Sequence, residues 1–172
     1  MKKVLTHLLL LVILSTLLVA LLPMQQAAAQ SGNTCNSAIP ITSSTYSYSG
    51  STCGTVNNYT QNNVNAALCE TFQTLDFGGD DMIFTFSPPS SGCYNFDFTS
   101  PDGIATGYHI FDGCPNNGNT SCLGYENGNV SIPIEYNTGE TIVIMVDSWA
   151  LLANCVTFTL DISPNVVTIA ND

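Results

Sequence analysis

The stretch "CVTFTLDI", residues 155–162, alternates apolar and polar side chains with a period of two. The apolar side chains of this run are Val156, Phe158, Leu160 and Ile162. Such alternation is typical of a β-strand that buries one face and leaves the other face polar. The stretch "VSIPIEY", residues 130–136, has the same period. Both runs therefore predict half-buried antiparallel strands.

Further runs of the same type lie along the chain, separated by turns rich in Asn, Gly, Pro and Ser. These runs are residues 45–52, 82–86, 93–98, 104–111, 122–126 and 141–146. The run "TIVIMV" at 141–146 is apolar on both faces, which predicts a central strand. About eight short strands, with no helical periodicity after the first residues of the chain, favour an all-β fold. We expect a two-sheet antiparallel β-sandwich of jelly-roll type.

The beginning of the chain differs in composition from the rest. Lys2 and Lys3 precede the apolar stretch "LLLLVILSTLLVALL" at residues 8–22, and a run of alanines ending at Ala29 follows it. A cationic start, an apolar stretch shorter than the roughly 20 residues of a spanning helix, and small residues after it are typical of a secretory signal peptide. We expect cleavage after Ala29, which leaves residues 30–172 as a single secreted domain.

The charge of the chain excludes two classes of partner. Lys2 and Lys3 are the only cationic residues, so the part that follows the signal peptide carries thirteen carboxylates and a formal charge of −13. Proteins that bind nucleic acids or anionic lipids neutralise phosphates with Lys and Arg. The sequence therefore predicts no nucleic-acid partner, and no membrane partner once the signal peptide is removed.

All seven cysteines lie beyond the signal peptide, and export to an oxidising compartment predicts that they form disulfides. Cys114 and Cys122 bracket the short loop "PNNGNTS", and this is the first predicted pair. An odd number of cysteines leaves one thiol free.

Jelly-roll topology predicts the other pairs, because the first strand then pairs with the last, and the last lies beside the strand at 93–98. The pairs that this brings together are Cys53–Cys155 and Cys35–Cys93. Cys69 is then the free thiol. A rival pairing joins Cys53 to Cys69 and frees Cys155.

Two adjacent acids, Asp80 and Asp81, stand directly before the run at 82–86 in "GGDDMIFTFSPPSSGCYNFDF". They are compatible with a catalytic pair, a cation site or a solvated strand end. The connection that precedes them, residues 54–79, is long and rich in Asn, and long connections are often functional.

The order of these segments resembles a known family. The segments are "CNSAIPI", "GGDDMIFTFSPPSSGCYNFDFTS", "IATGYHIFDGCP", "NTGETIVIMVDSW" and "CVTFTLDI". Together they resemble the bacterial pre-peptidase C-terminal domain, in the cysteine-containing versions of secreted and surface proteins of Bacteroidota. The resemblance implies a β-sandwich that binds substrate or matrix, in some members with calcium.

The resemblance also implies a role for the acids, because calcium-binding members carry acidic ligands before the strand that matches residues 82–86. The matching positions are Asp80 and Asp81. Calcium takes six to eight oxygen ligands, and Asp76 and Glu70 in the preceding connection are further candidates. A Ca²⁺ site at these residues is therefore an expectation.

Few residues suit catalysis. His109 is the only histidine beyond the signal peptide, and it alternates with apolar residues of a strand. Two carboxylates alone suffice for a glycosidase, and the candidates are Asp81, Glu135 and Asp147. Their spacing singles out no pair, so we predict that the protein is not an enzyme.

Three aromatic residues near loops are candidates for ligand binding, namely Trp149, Tyr125 and Tyr59. Flat rings with a polar edge suit contacts with sugars and peptides. The alternative for Trp149 is that its ring covers one end of the sandwich. The sequence thus predicts a secreted, non-catalytic module that binds extracellular polysaccharide or matrix protein. The runner-up is a self-assembling subunit of a fibre or surface layer, in which the tail "NVVTIAND" pairs with a neighbour's edge strand.

Overall fold

The computed structural model describes residues 31–60, 62–64, 77–149 and 151–165. Several predicted features lie outside these residues. They are the predicted signal peptide and its cleavage site, the candidate ligands Glu70 and Asp76, Cys69 and most of the C-terminal tail. Within the described ranges, no helix is long and apolar enough to span a membrane.

Nine strands make up the described part of the chain. Their bounds are β1 Ile39–Ile41, β2 Tyr46–Ser51, β3 Met82–Phe86, β4 Gly92–Thr99, β5 Thr106–Phe111, β6 Cys122–Asn127, β7 Val130–Tyr136, β8 Ile142–Ser148 and β9 Thr157–Pro164. Two short 3₁₀ turns, Cys35–Ser37 and Gly103–Ala105, precede β1 and β5. The eight predicted runs correspond to β2–β9, and the three-residue strand β1 is the element that the sequence did not predict.

The strands form two sheets with jelly-roll topology. One sheet has the order β2-β9-β4-β7 and the other has the order β1-β3-β8-β5-β6. The first long strand pairs antiparallel with the last, with Tyr46 opposite Ile162, and the last lies beside β4. Strand β1 adds to the edge of the second sheet, parallel to β3. The predicted β-sandwich and the predicted neighbours of β9 are confirmed.

A hydrophobic core fills the space between the sheets. It contains the inward side chains of β4 and β9 from one sheet and of β3, β5 and β8 from the other. Phe98 of β4 stacks on Tyr108 of β5 with ring centroids 4.1 Å apart, and Tyr48 meets Phe84 edge to face at 5.0 Å. The alternation seen in the sequence therefore corresponds to burial between the two sheets.

A second hydrophobic core lies on the outer face of the five-stranded sheet. There the long connection between β2 and β3 contributes Tyr59, Val64 and Phe77, which are all buried. These side chains cover outward-facing residues of the sheet, which are Ile83, Phe111, Val143 and Met145. The outer face of β8 is therefore also buried, which explains why the stretch at 141–146 is apolar on both faces. Strand β8 is central, between β3 and β5, as predicted.

The disulfides confirm one predicted pair and correct two. Cys53 is bonded to Cys155, as the pairing of the first and last strands predicts. Cys35 is bonded to Cys114, so the predicted pairs Cys35–Cys93 and Cys114–Cys122 are both wrong. Cys122 is also disulfide-bonded.

The corrections have a physical reason. Strand β1 joins the five-stranded sheet, which carries the preceding segment with Cys35 to the outer face of that sheet and away from β4. The loop that Cys114 begins is closed by hydrogen bonds, from the Asp112 N–H to the Ser121 carbonyl and from the Thr120 hydroxyl to the Cys114 carbonyl. Cys93 is the free, half-buried thiol among the described residues.

Candidate functional site

Several connections of the sandwich meet at one end, which we call the Trp149 end. It comprises residues 52–58, 78–81, 100–105, 128–129, 149 and 151–156. The opposite end comprises residues 42–45, 87–91, 112–121 and 137–141.

Among the described residues, most of the exposed large apolar side chains lie at the Trp149 end. Leu151 is 73% exposed, Ile104 is 67% exposed and Leu152 is 54% exposed. Val56, in the connection after β2, also lies at this end and is exposed. Among the described residues, the remaining exposed large apolar side chain is Leu123, which lies on β6. Clustering of exposed apolar side chains in neighbouring loops is typical of an interaction surface.

Trp149 joins the two loops that carry these side chains. Its backbone N–H donates to the Ala105 carbonyl at 2.9 Å, and its carbonyl accepts from the N–H groups of Leu152 and Ala153. The side chain is half-buried, and its indole Nε1 is buried without a hydrogen-bond partner among the described residues. Trp149 thus packs against the end of the sandwich while part of its surface stays open to solvent. Contact of this ring with a ligand stays a prediction.

The scaffold beneath these loops is held by polar contacts. Asp102 Oδ2 accepts hydrogen bonds from the N–H and the hydroxyl of Thr157 at 2.8 and 3.1 Å. The Ser100 hydroxyl donates to the Thr157 carbonyl at 2.7 Å. The Cys53–Cys155 disulfide fixes the start of β9 to the end of β2. Loops fixed in this way lose little conformational freedom when they bind a partner.

The two adjacent acids of the opening motif have different surroundings. Asp81 is fully buried, and its Oδ2 accepts hydrogen bonds from the N–H groups of Asn58 at 2.6 Å and Tyr59 at 2.8 Å. Asp81 therefore ties the connection after β2 to the outer face of the five-stranded sheet. Asp80 is half-buried, its N–H donates to the Asn154 carbonyl, and its carboxylate accepts a long bond from the Gly54 N–H at 3.4 Å.

A second buried acid, Asp147, faces Asp81 across the sheet. It is the next-to-last residue of β8, and the neighbouring register pair is Met82 with Val146. The Asp147 side chain is close enough to Asp81 to influence the pKa of that carboxyl group. Burial raises the pKa of Asp81 from 3.8 to about 7, the two backbone N–H bonds oppose this change, and the nearby Asp80 charge adds to it.

His109 lies in the second hydrophobic core and is fully buried. Its ring stacks with Phe77 at 5.0 Å and lies 4.7 Å from the Tyr125 ring. Burial lowers the pKa of this histidine from 6.5 to about 3, so the imidazole is neutral at physiological pH. A neutral imidazole enclosed by aromatic rings has no access to a substrate.

The candidate carboxylates for a glycosidase are not brought together around an open cleft. Asp81 and Asp147 are fully buried, whereas Glu135 is exposed on β7 of the other sheet. Within the described ranges, no three His, Cys, Asp or Glu side chains are grouped so that they could hold a metal ion.

The structure does not bring the three candidate aromatic residues together. Tyr59 is 2% exposed, and its hydroxyl accepts a hydrogen bond from the Cys35 N–H at 2.8 Å, so its ring belongs to the second core rather than to a surface. Tyr125 is half-buried on the edge strand β6, and its hydroxyl accepts from Asn127 Nδ2 at 2.7 Å. Neither ring lies beside Trp149.

Two open cavities do not involve Trp149 or the exposed apolar side chains. A cavity of about 430 Å³ adjoins the Cys35–Cys114 disulfide and is lined by amide side chains and Tyr59. A cavity of about 490 Å³ at the opposite end has acidic side chains, which are Asp112, Glu135 and Glu140.

The sequence reasoning missed Leu151, Leu152 and Ile104. The first two follow Trp149 within a loop, and an apolar pair in a loop is a signal that the sequence contains. The sequence predicts a strand that includes Ile104, whereas the structure places this residue in the 3₁₀ turn before β5, with its side chain exposed to solvent.

Fold and loops together define a jelly-roll β-sandwich with an apolar surface at one end, and solved structures contain similar sandwiches. The chain is similar to PliG, a periplasmic lysozyme inhibitor of g-type lysozyme from Aeromonas hydrophila, at 13% identity over 73% of this chain and 94% of that chain, with a TM-score of 0.48. It is also similar to the pre-peptidase C-terminal domain of a collagenase from Bacillus anthracis, at 14% identity over 73% and 94% of the two chains, with a TM-score of 0.43. A third similar structure is the Yersinia pseudotuberculosis-derived mitogen, at 11% identity over 74% and 90%, with a TM-score of 0.43.

No protein-family model and no curated protein matches the chain. The collagenase domain belongs to the family that the sequence resembles, but membership of the pre-peptidase C-terminal family stays a prediction.

Proposed function

We propose that this protein is a secreted, non-catalytic binding module that recognises an extracellular polysaccharide or matrix protein through the Trp149 end. The observation that carries the proposal is the exposure of Ile104, Leu151 and Leu152 in two loops that Trp149 joins. Disulfides support an oxidising extracellular location. The buried state of His109, Asp81 and Asp147 supports the absence of catalysis.

The first prediction tests the surface. Replacing Leu151 and Leu152 together by serine should weaken binding of the protein on an array of glycans and matrix proteins by about tenfold or more, because a few central residues carry most of the binding energy of an interface. The free energy of unfolding should change by only about 0.5 kcal/mol per substitution, since both side chains are exposed.

The matched control is Leu123→Ser, which removes an exposed leucine of β6 outside the Trp149 end. Its binding should equal that of the unmodified protein. Equal binding by the double variant and the unmodified protein would contradict the proposal that the ligand binds at the Trp149 end.

A structural fibre subunit is the second candidate function. It needs a free sheet edge that accepts a strand from a neighbour. Of the four edge strands, β1 and β7 contain Pro40 and Pro133, which lack the N–H that such pairing uses, whereas β2 and β6 contain no proline. The tail that would be donated lies outside the described residues. The exposed apolar side chains of the Trp149 end favour the binding module, which is the function we propose.

A calcium ion bound near Asp80 and Asp81 is a separate part of the proposal. Its support is the arrangement of Asp81 opposite Asp147, because two buried carboxylates need a proton or a cation between them. Asp80 and backbone carbonyls of the adjacent loops are further oxygen donors of the kind that calcium takes.

The second prediction tests this calcium site through its competition with protons. Millimolar calcium should raise the melting temperature at pH 8, where Asp81 with its pKa of about 7 has lost its proton, and should raise it less at pH 5.5. Asp81→Asn should abolish the effect, whereas Glu126→Gln, at an exposed strand residue, should keep it. Identical melting curves in calcium and in chelator at pH 8 would exclude the site.

A further inference from the structure

We infer that the partner of the Trp149 end is a protein with a basic surface around an apolar contact. This inference rests on the proposed function, and it adds the chemical class of the partner. Its first basis is the nature of the exposed side chains. Ile104, Leu151 and Leu152 are aliphatic, and the buried centre of a protein–protein interface is more apolar than the rest of the protein surface. Sugars instead stack on aromatic faces, and at this surface Trp149 is a half-buried ring whose Nε1 edge is covered.

The second basis is the charge around these side chains. Asp102 is exposed two residues before Ile104. Glu126 is exposed at the next-to-last position of β6. The turn that follows this strand contains Gly128, which lies against the backbone of Gly103 and Ile104. No cationic residue offsets these acids, because Lys and Arg occur only at positions 2 and 3 of the chain. The apolar surface therefore has an acidic border without a base.

Charge also decides between possible occupants. A second copy of this chain brings the same thirteen acids, and like charges placed together disfavour association. An anionic lipid surface is repelled for the same reason. A basic protein surface gains Coulomb attraction at the border and buries apolar area at the centre, which is the usual anatomy of a protein interface.

The test selects partners without assuming their identity. A phage library of random peptides is selected on the full-length protein and depleted on the Leu151→Ser, Leu152→Ser double variant. The two proteins have the same net charge, so depletion removes peptides that bind through non-specific attraction. We expect the remaining peptides to be enriched in Lys and Arg next to large apolar residues. We also expect their binding to weaken steeply as salt increases.

Affinity measurements on a selected peptide locate the charge contacts. Glu126→Gln should weaken binding by about two- to fivefold, which is the range for an exposed charge pair. Glu135→Gln is the matched control, because Glu135 is an exposed glutamate at the next-to-last position of β7, towards the opposite end. It should leave affinity unchanged. Equal losses for the two variants would overturn the inference.

The outcomes separate the inference from the proposed function. Selected peptides that depend on the leucines but have no excess of Lys and Arg would overturn the inference and keep the binding surface. Leucine-dependent binding on a glycan array, without selected peptides, would also overturn the inference and keep the surface. If no peptide and no glycan distinguishes the double variant from the unmodified protein, the surface itself is wrong.

Discussion

Replacing Cys53 and Cys155 together by serine should lower the free energy of unfolding by about 4 kcal/mol. The disulfide closes a loop with a sequence separation of 102 residues between the end of β2 and the start of β9. Chain-entropy arguments assign about 4–5 kcal/mol to a loop of this length, because the crosslink restricts the unfolded chain. Domains of this size have about 5–15 kcal/mol in total, so the loss removes a large part of the stability.

Denaturation with guanidinium, followed by circular dichroism, measures this loss. The slope of free energy against denaturant should rise, because the unfolded chain without the crosslink exposes more surface. The matched control is Cys93→Ser, at the half-buried cysteine that is free among the described residues, and it should change stability by less than about 1 kcal/mol. An unchanged midpoint in the double variant would contradict the pairing of Cys53 with Cys155.

The part of the fold that the sequence predicts is the part that repeats with a period of two. Phe96 and Phe98 alternate with polar residues because one face of β4 meets the other sheet and the other face meets water. The jelly-roll order then follows from strand number and turn positions, and the Cys53–Cys155 pair follows from that order. All of these features follow from the alternation of apolar and polar residues, which is visible in the local sequence.

The second core has no such pattern. Tyr59, Val64 and Phe77 are spaced irregularly in a connection rich in Asn, and only the folded chain brings them to one face of the sheet. Strand β1 has three residues, too few for a period to be visible. The position of Cys35 depends on β1. The sequence therefore predicts the wrong disulfide partner for Cys35, because β1 itself has no visible pattern.

The surroundings of the two acids before β3 also could not be predicted from the local sequence. Local sequence places Asp80 and Asp81 at a strand end, where solvated acids are common. Whether Asp81 is buried depends on the connection that covers it and on Asp147, which is distant in sequence and opposite in the sheet. The altered pKa of Asp81 is therefore a property of tertiary structure alone.

The unfolding free energy should depend on pH through two buried groups whose effects oppose each other. Asp81 has a folded pKa of about 7, above its usual value of 3.8. Its contribution to stability is full below about pH 4 and is lost as the pH rises towards 7. His109 has a folded pKa of about 3, below its usual value of 6.5. Its contribution is full above pH 6.5 and is lost as the pH falls towards 3.

Between about pH 4 and pH 6.5 the changes of the two contributions with pH should nearly cancel. The free energy of unfolding of the unmodified protein should therefore vary little over this range. Each pKa shift of about three units corresponds to a change on the order of 4 kcal/mol in the free energy of unfolding over its pH range.

Asp81→Asn removes the acid and keeps an oxygen for the N–H bonds of Asn58 and Tyr59. Stability of this variant should fall on acidification. His109→Phe removes the base and keeps an aromatic ring next to Phe77. Stability of this variant should rise on acidification.

Urea denaturation at intervals of half a pH unit from 4 to 8 measures both profiles. Acids distant from both sites contribute equally in each variant, so the difference between the two profiles reports on His109 and on Asp81 together with its neighbours Asp80 and Asp147. Glu126→Gln, an exposed control, should follow the profile of the unmodified protein. If the Asp81→Asn and His109→Phe profiles run parallel, the two side chains are not buried in the ionisation states derived above. The second core would then be open to water in solution.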